Sequence, residues 1–257
     1  MSTELITERH GATLVLTLSG PARRNALSPQ VYAAGVETLN MAEADPDVRA
    51  VVITGAQGHF CAGGDLSRLA HNRQHDLHAQ AGNLDAFHDW IESIRAFPKP
   101  VIAAVEGVAA GGGASLALAC DVIVAADTAR FVMAYGQVGL SPDGGATWHL
   151  TRALGRSGAL ALLWAGQDSS LSSAGHWHAQ GLVHKLAPSG QALTQALAWA
   201  DEMAAWPADA LASMKELVHD ADQALRHHLL AEKQHFMVNL SRPAAGVAIE
   251  RFLQPKR

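Results

Sequence analysis

Two segments of the chain repeat one arrangement: a short, unbroken apolar run passes into glycine-rich backbone and then into helix-forming sequence. The first is Val51-Val52-Ile53-Thr54, followed by His59-Phe60-Cys61-Ala62-Gly63-Gly64-Asp65-Leu66. The second is Val101-Ile102-Ala103-Ala104-Val105, followed by Gly107-Val108-Ala109-Ala110-Gly111-Gly112-Gly113. Apolar runs this short, without alternation, read as strands buried on both faces. Glycine permits φ > 0 and lets a ligand or another backbone approach closely. A helix start presents unpaired N–H groups and the positive end of its dipole. The glycines therefore serve either tight turns and close packing, or a pair of N–H donors aimed at one ligand oxygen. Neither loop is a nucleotide fingerprint: GxxxxGK[ST] is absent and the glycine triplet lacks GxGxxG spacing. GxSxG is absent too, so a hydrolase nucleophile elbow is unsupported.

Around these segments the pattern is α/β. Glu4–Arg9 and Ala12–Ser19 read as a hairpin about Gly11. Ser28-Pro29 starts a helix that runs to about Asp45-Pro46, with the Ser hydroxyl as cap and Pro fixing φ at the first helical position. One long helical region follows Gly64 and ends at Phe97, before Pro98-Lys99-Pro100. Gly107–Gly113 reads as a loop, Ala114–Ala119 as a buried helix of small residues, and Leu182–Leu186 as the last strand. Gln191–Ala205 and Ala208–His235 are helical patterns split at Trp206-Pro207. The expected division is 1–190 as an α/β core and 191–257 as a helical C-terminal region.

Composition narrows the function. The chain has 257 residues, 49% hydrophobic, with a net charge of −5. No basic excess exists to neutralise phosphates, which argues against non-specific nucleic-acid binding. Two cysteines, Cys61 and Cys120, cannot build a disulfide framework, and their apolar contexts suit inert packing residues. Met1–His10 lacks an apolar signal segment, and Glu106, the glycine triplet and Asp121 interrupt the most apolar window. A cytoplasmic protein without a membrane partner is expected. Fourteen histidines include His71, His75 and His78 at i, i+4 and i+7 and the pairs His176/His178 and His227-His228. No carboxylate or cysteine completes a ligand pattern at good spacing, so they read as solvated surface groups and no metal is expected.

Taken in order, several segments resemble the crotonase (enoyl-CoA hydratase/isomerase) superfamily over nearly the whole chain. They are Arg23-Arg24-Asn25-Ala26-Leu27, Phe60 to Leu66, Lys99-Pro100-Val101 through Gly113 to Ala119-Cys120-Asp121, Phe131 through Gly139-Leu140 with Pro142 and Thr147, and Leu171-Ser172 through Val183. The resemblance implies a crotonase-like (ClpP/crotonase) spiral of ββα units with a helical C-terminal trimerisation region. It implies an acyl-CoA thioester substrate, coenzyme A being part of that substrate rather than a cofactor, and a homotrimer or dimer of trimers. By position, the amides of Gly64 and Gly112 match the family's oxyanion hole. Arg24, Ala62, Gly63, Asp65, Leu66 and Gly111 match its substrate-binding contacts.

The acid/base residues depart from the hydratase pattern. Similar hydratases place one glutamate at what is here Ser115 and another at what is here Tyr135. Asp143, in Ser141-Pro142-Asp143-Gly144-Gly145, instead resembles the carboxylate of the isomerase branch, especially the ring-1,2-epoxyphenylacetyl-CoA isomerases. Read by itself, Asp143 is equally an N-cap or Asx-turn residue. His88 matches by spacing the histidine base of 4-chlorobenzoyl-CoA dehalogenases, with Asp143 as their nucleophile. Two departures from that pattern are Gly64 and Tyr135, where those enzymes have aromatic residues. His88 is thus expected near the acyl pocket or, read without the resemblance, as a structural residue. Tyr135 is expected to line the pocket, to donate a hydrogen bond or simply to pack, and Ser115 to be a small helix residue. Three functions follow: an acyl-CoA isomerase, a dehalogenase-like or hydratase enzyme, or an inactive acyl-CoA-binding member.

Overall fold

The computed structural model describes residues 3–254 apart from 167, 207, 221–224 and 242. Strands β1 (Glu4–His10) and β2 (Thr13–Ser19) form the expected hairpin, turning at Gly11 with φ 59°. Helix α1 (Pro29–Ala44) starts where Ser28 and Pro29 direct it; the Ser28 side chain accepts from Val31 N. Strand β3 (Ala50–Gly55) leads into α2 (Leu66–His75) and α3 (Leu77–Ala96). The single helical region expected there is broken at Asp76 (φ −156°, ψ 81°), whose carboxylate caps α3 by accepting from Ala79 N.

Next come β4 (Val101–Val105), β5 (Val108–Ala110) and α4 (Gly112–Ala119), then β6 (Val122–Ala126), β7 (Arg130–Val132) and α5 (Ala146–Ala165). Each unit sends its first strand to a six-stranded sheet of order β1-β2-β3-β4-β6-β8 and its second to a two-stranded sheet, β5 with β7. Stacked this way, the strand–strand–helix units form a spiral. Val108–Ala110, expected as loop, is a strand because Ala109 pairs with Phe131 across this second sheet. Helix α5 is interrupted at Gly155, with φ 67°. Helix α6 (Ala174–Ala179) precedes β8 (Lys185–Ala187), which begins three residues later than expected, since Leu182 and Val183 donate instead to the Trp177 carbonyl.

The chain closes with α7 (Ala192–Ala204), α8 (Ala208–Asp220), α9 (Leu225–Ser241) and α10 (Pro243–Leu253). Pro207, at the expected split, and residues 221–224 lie outside the described residues.

The parallel register Val51↔Val101 and Ile53↔Ala103 sorts side chains by face. Val51, Ile53, Val101, Ala103 and Val105 enter the main core with α1, α3 and α4. Ala50, Val52, Ile102 and Ala104 point the other way, against Ala196 and Ala200 of α7. Cover on both faces is why β3 and β4 show no alternation. It also places α7, the first helix of the expected C-terminal region, on the sheet of the core. A further cluster joins Leu69, Leu84, Val138 and Leu140 to Phe236, Leu240, Ala245 and Ile249, seating α9 and α10 over the helices that follow β3. Among the described residues no helix is long and apolar enough to cross a membrane.

Candidate active site

Backbone hydrogen bonds stitch the two glycine-rich segments together. Cys61 N donates to Val108 O (3.0 Å), Ala110 N to Cys61 O (2.8 Å), and Leu27 N to Gly63 O (2.8 Å). Buried Asn25 braces the first loop: its amide nitrogen donates to Ala56 O (3.0 Å) and His59 O (2.8 Å), while its Oδ1 accepts from Gly20 N (2.9 Å). The approach leaves no room for side chains. A Cβ on Gly63, where φ is +84°, would fall 2.5 Å from Ala110 O, and one on Gly113 would fall 2.5 Å from Cys61 O. Close packing is therefore one task of these glycines. Gly64 and Gly112 differ in that their amides have no protein acceptor among the described residues, whereas Gly111 N is spent on Val132 O (2.9 Å). Gly112 opens α4, so its free N–H also carries the positive end of the helix dipole.

Both glycines line one cavity of about 520 Å³. Gly63, Gly111, Ala62 and Leu66 share its wall, as do Arg24, Tyr135 and Asp143. Asp65 does not: its carboxylate caps α2, accepting from Ser67 N (3.0 Å) and Arg68 N (3.4 Å), and pairs with Arg23. Any contact of Asp65 with substrate would have to come from outside this wall. A second cavity, about 460 Å³, lies between α4, α5, α7 and α8. Its carboxylate, Asp121, is committed to Lys215 (2.8 Å) and to Val101 N (2.7 Å), a structural arrangement rather than a reactive one. Among the described residues no group of three or more His, Cys, Asp or Glu is arranged to hold a metal; His71 and His75 simply stack at 4.4 Å.

Asp143 is the one carboxylate among the described residues lining the first cavity. The Tyr135 hydroxyl donates to its Oδ1 (2.7 Å). Ser115 Oγ, fully buried, lies 2.9 Å from the Tyr135 hydroxyl and donates to the Asp143 carbonyl oxygen (2.9 Å). Burial raises the Asp143 pKa to about 6; the hydrogen bond from Tyr135 opposes that rise without cancelling it. The carboxylate also sits beside the free amide, since a Cβ on Gly112 would be 3.6 Å from Asp143 Oδ1. Ser115 is thus more than a small helix residue: its hydroxyl holds the Asp143 main chain beside the Tyr135–Asp143 contact.

His88 is buried, but it does not line the cavity. It stands behind the turn, where its Nε2 accepts from Gly144 N (3.4 Å). Burial drives its pKa down to about 4, keeping the ring neutral and able to accept. His88 thus stands beside the acyl pocket, next to the Asp143 turn, and not in its wall. A spacing match along α3 does not fix which side of the turn the ring meets. Tyr32, Arg68 and Phe236 also line the cavity, and sequence reasoning did not single them out. They come from α1, α2 and α9, and no local motif links them.

A spiral of strand–strand–helix units whose cavity is lined by Gly64, Gly112 and the desolvated carboxylate of Asp143 is a crotonase-fold protein. Residues 8–253 match the sequence profile of the enoyl-CoA hydratase/isomerase family, and the chain belongs to that family. It is similar to the 1,2-epoxyphenylacetyl-CoA isomerase of Escherichia coli (strain K12), with 35% identity covering 81% of this chain and 79% of that one. It is equally similar to the 2,3-dehydroadipyl-CoA hydratase of the same organism, 35% identical over 98% of this chain and 96% of that one. Among solved structures it resembles an enoyl-CoA hydratase from Polaromonas sp. JS666, with TM-score 0.82 and 50% identity, covering 97% of this chain and 96% of that one.

Proposed function

We propose that the protein is an acyl-CoA isomerase that uses Asp143 to carry a proton between two carbons of its substrate. The observation that carries this reading is the single buried carboxylate lining one cavity with Gly64 and Gly112, with Ser115 and Tyr135 where hydratases resembling this chain place glutamates. Ionised Asp143 takes a proton from a carbon conjugated with the thioester carbonyl. The electron pair moves onto the carbonyl oxygen, where the Gly64 and Gly112 amides stabilise the enolate. The carbonyl re-forms as Asp143 returns the proton to a different carbon. Donors fixed in place favour the charged transition state over the neutral ground state. A carboxylate with a pKa near 6 is a stronger base than a solvated one yet remains ionised at neutral pH.

Adding water across a double bond requires groups that orient and deprotonate that water. Here the Tyr135 proton is directed at Asp143 and the Ser115 hydroxyl at the Asp143 carbonyl. Hydrolytic dehalogenation would call on His88, which faces Gly144 N from outside the cavity. Both observations support the isomerase reading. The test supplies unsaturated and ring-epoxide acyl-CoA thioesters in deuterated water to wild type and Asp143→Asn. Wild type should isomerise at least one and exchange its acidic carbon–hydrogen, and the variant should lose about 10²–10⁴ in rate. Equal turnover by the two proteins would end the proposal. Tight thioester binding with no turnover across the panel would favour an inactive binding protein.

A further inference from the structure

The proton transfer leaves one cation of the cavity without a task. Arg68 lies in the first turn of α2 and reaches toward the start of α1. Its Nη2 donates to Leu27 O (2.8 Å), and its positive charge opposes the rise that burial gives the pKa of the Tyr32 phenol. Its Nε is buried with no acceptor, and among the described residues no carboxylate pairs with it. Its two cationic neighbours differ. Arg130 holds Ser172 Oγ through Nε (3.2 Å) and Nη2 (2.7 Å), while Arg24 stands on an exposed left-handed turn. Around Arg68 the wall is mixed. Gln80 is buried and fixed by Asn72 (3.0 Å), and Asn83 is half-buried, whereas Leu84, Val138 and Phe236 are apolar. Tyr32, Arg68 and Asp143 all line this one cavity.

A guanidinium with donors to spare inside a largely apolar cavity is poorly compensated until a ligand brings an acceptor. Its planar fork matches a carboxylate better than any neutral group. We propose that Arg68 is the anion-accepting group of the acyl pocket, so that the preferred thioester carries a carboxylate on its acyl part, beyond the reacting carbons. This inference rests on the acyl-CoA reading above.

The test uses two saturated, unreactive thioesters of equal chain length, one an ω-carboxyacyl-CoA and the other ending in methyl, titrated calorimetrically. A pocket without a cation would reject the carboxylate, because burying an unpaired charge is unfavourable. Wild type should bind the carboxylated thioester about ten-fold tighter or more. Arg68→Met should bring the ratio to one or below, and Arg68→Lys should fall between. If Arg68→Met does not fold, the drop in ratio for Arg68→Lys is read instead. Equal affinities in wild type overturn the inference. So does a preference that survives in the variants, which would assign the carboxylate to Arg24 or Arg130. Binding of neither thioester overturns the acyl-CoA reading itself, and the inference with it.

Discussion

Replacing Asp143 by asparagine should remove activity and make the protein more stable above neutral pH. The side chains are nearly isosteric, and the Tyr135 hydroxyl can donate to an amide oxygen as it does to the carboxylate. What changes is the charge. Burial lifts the Asp143 pKa from 3.8 to about 6, so the folded state holds this proton more tightly than the unfolded chain does. Between about pH 4 and pH 6 the unfolded state has released the proton and the folded state has not. Stability contributed by this group therefore falls as pH rises through that window, and it stays lost above it. At about 1.4 kcal/mol per pH unit, the ionised carboxylate destabilises the fold by about 3 kcal/mol at pH 8. Asp143→Asn escapes that penalty. For a chain of this size, about 3 kcal/mol corresponds to a rise in melting temperature of roughly 5–10 °C. Thermal and urea unfolding of both proteins at pH 8, repeated toward pH 4, measures it; the gap should shrink toward zero at the acidic end. A variant less stable than wild type at pH 8, or a gap independent of pH, would show that Asp143 is not a desolvated carboxylate.

The same ionisation sets the rate. kcat/KM should fall about ten-fold per pH unit below pH 6, and Tyr135→Phe should move this acid limb to higher pH, because the hydrogen bond that favours the ionised form is lost. Gly64→Pro deletes one free amide where the nearest atom to a Cβ is Leu69 Cδ1 at 3.6 Å; turnover should drop about 10²–10³ while circular dichroism stays unchanged. Gly113→Ala drives a methyl to within 2.5 Å of Cys61 O and 2.7 Å of Cys61 Cβ, so urea unfolding should report a loss of about 1–3 kcal/mol or more.

Elements with strong local instructions were legible in the sequence. Ser28-Pro29 placed α1, and the unbroken apolar runs placed β3 and β4. The break between α2 and α3 was not, because Asp76 sits in a polar stretch with neither proline nor glycine. Strand β5 escaped for a different reason: three residues between glycines become a strand only through β7, twenty residues on. In the site, Gly64, Gly112 and Asp143 rest on short motifs, and the structure brings all three to one cavity. The bridging Ser115 hydroxyl depends on how the first turns of α4 meet the Asp143 loop, and Arg68 on where α2 lies against α1. Neither is encoded by residue type. His88 was placed near the pocket by spacing alone; that its ring meets Gly144 N rather than the cavity depends on how α3 lies against that turn.

The contact of Gly63 and Gly113 with bare main chain fixes how substitution can act on this pocket. The groups that would hold negative charge are peptide nitrogens, present whatever side chain is encoded, and they are clamped by neighbouring peptides rather than by rotamers. Under the proposed reaction, mutation could exchange the proton carrier or alter the charge of the cavity wall while these peptide nitrogens stay in place. A side chain of any size at Gly63 or Gly113 would push that main chain apart, so these two positions constrain the pocket more tightly than its side-chain wall does.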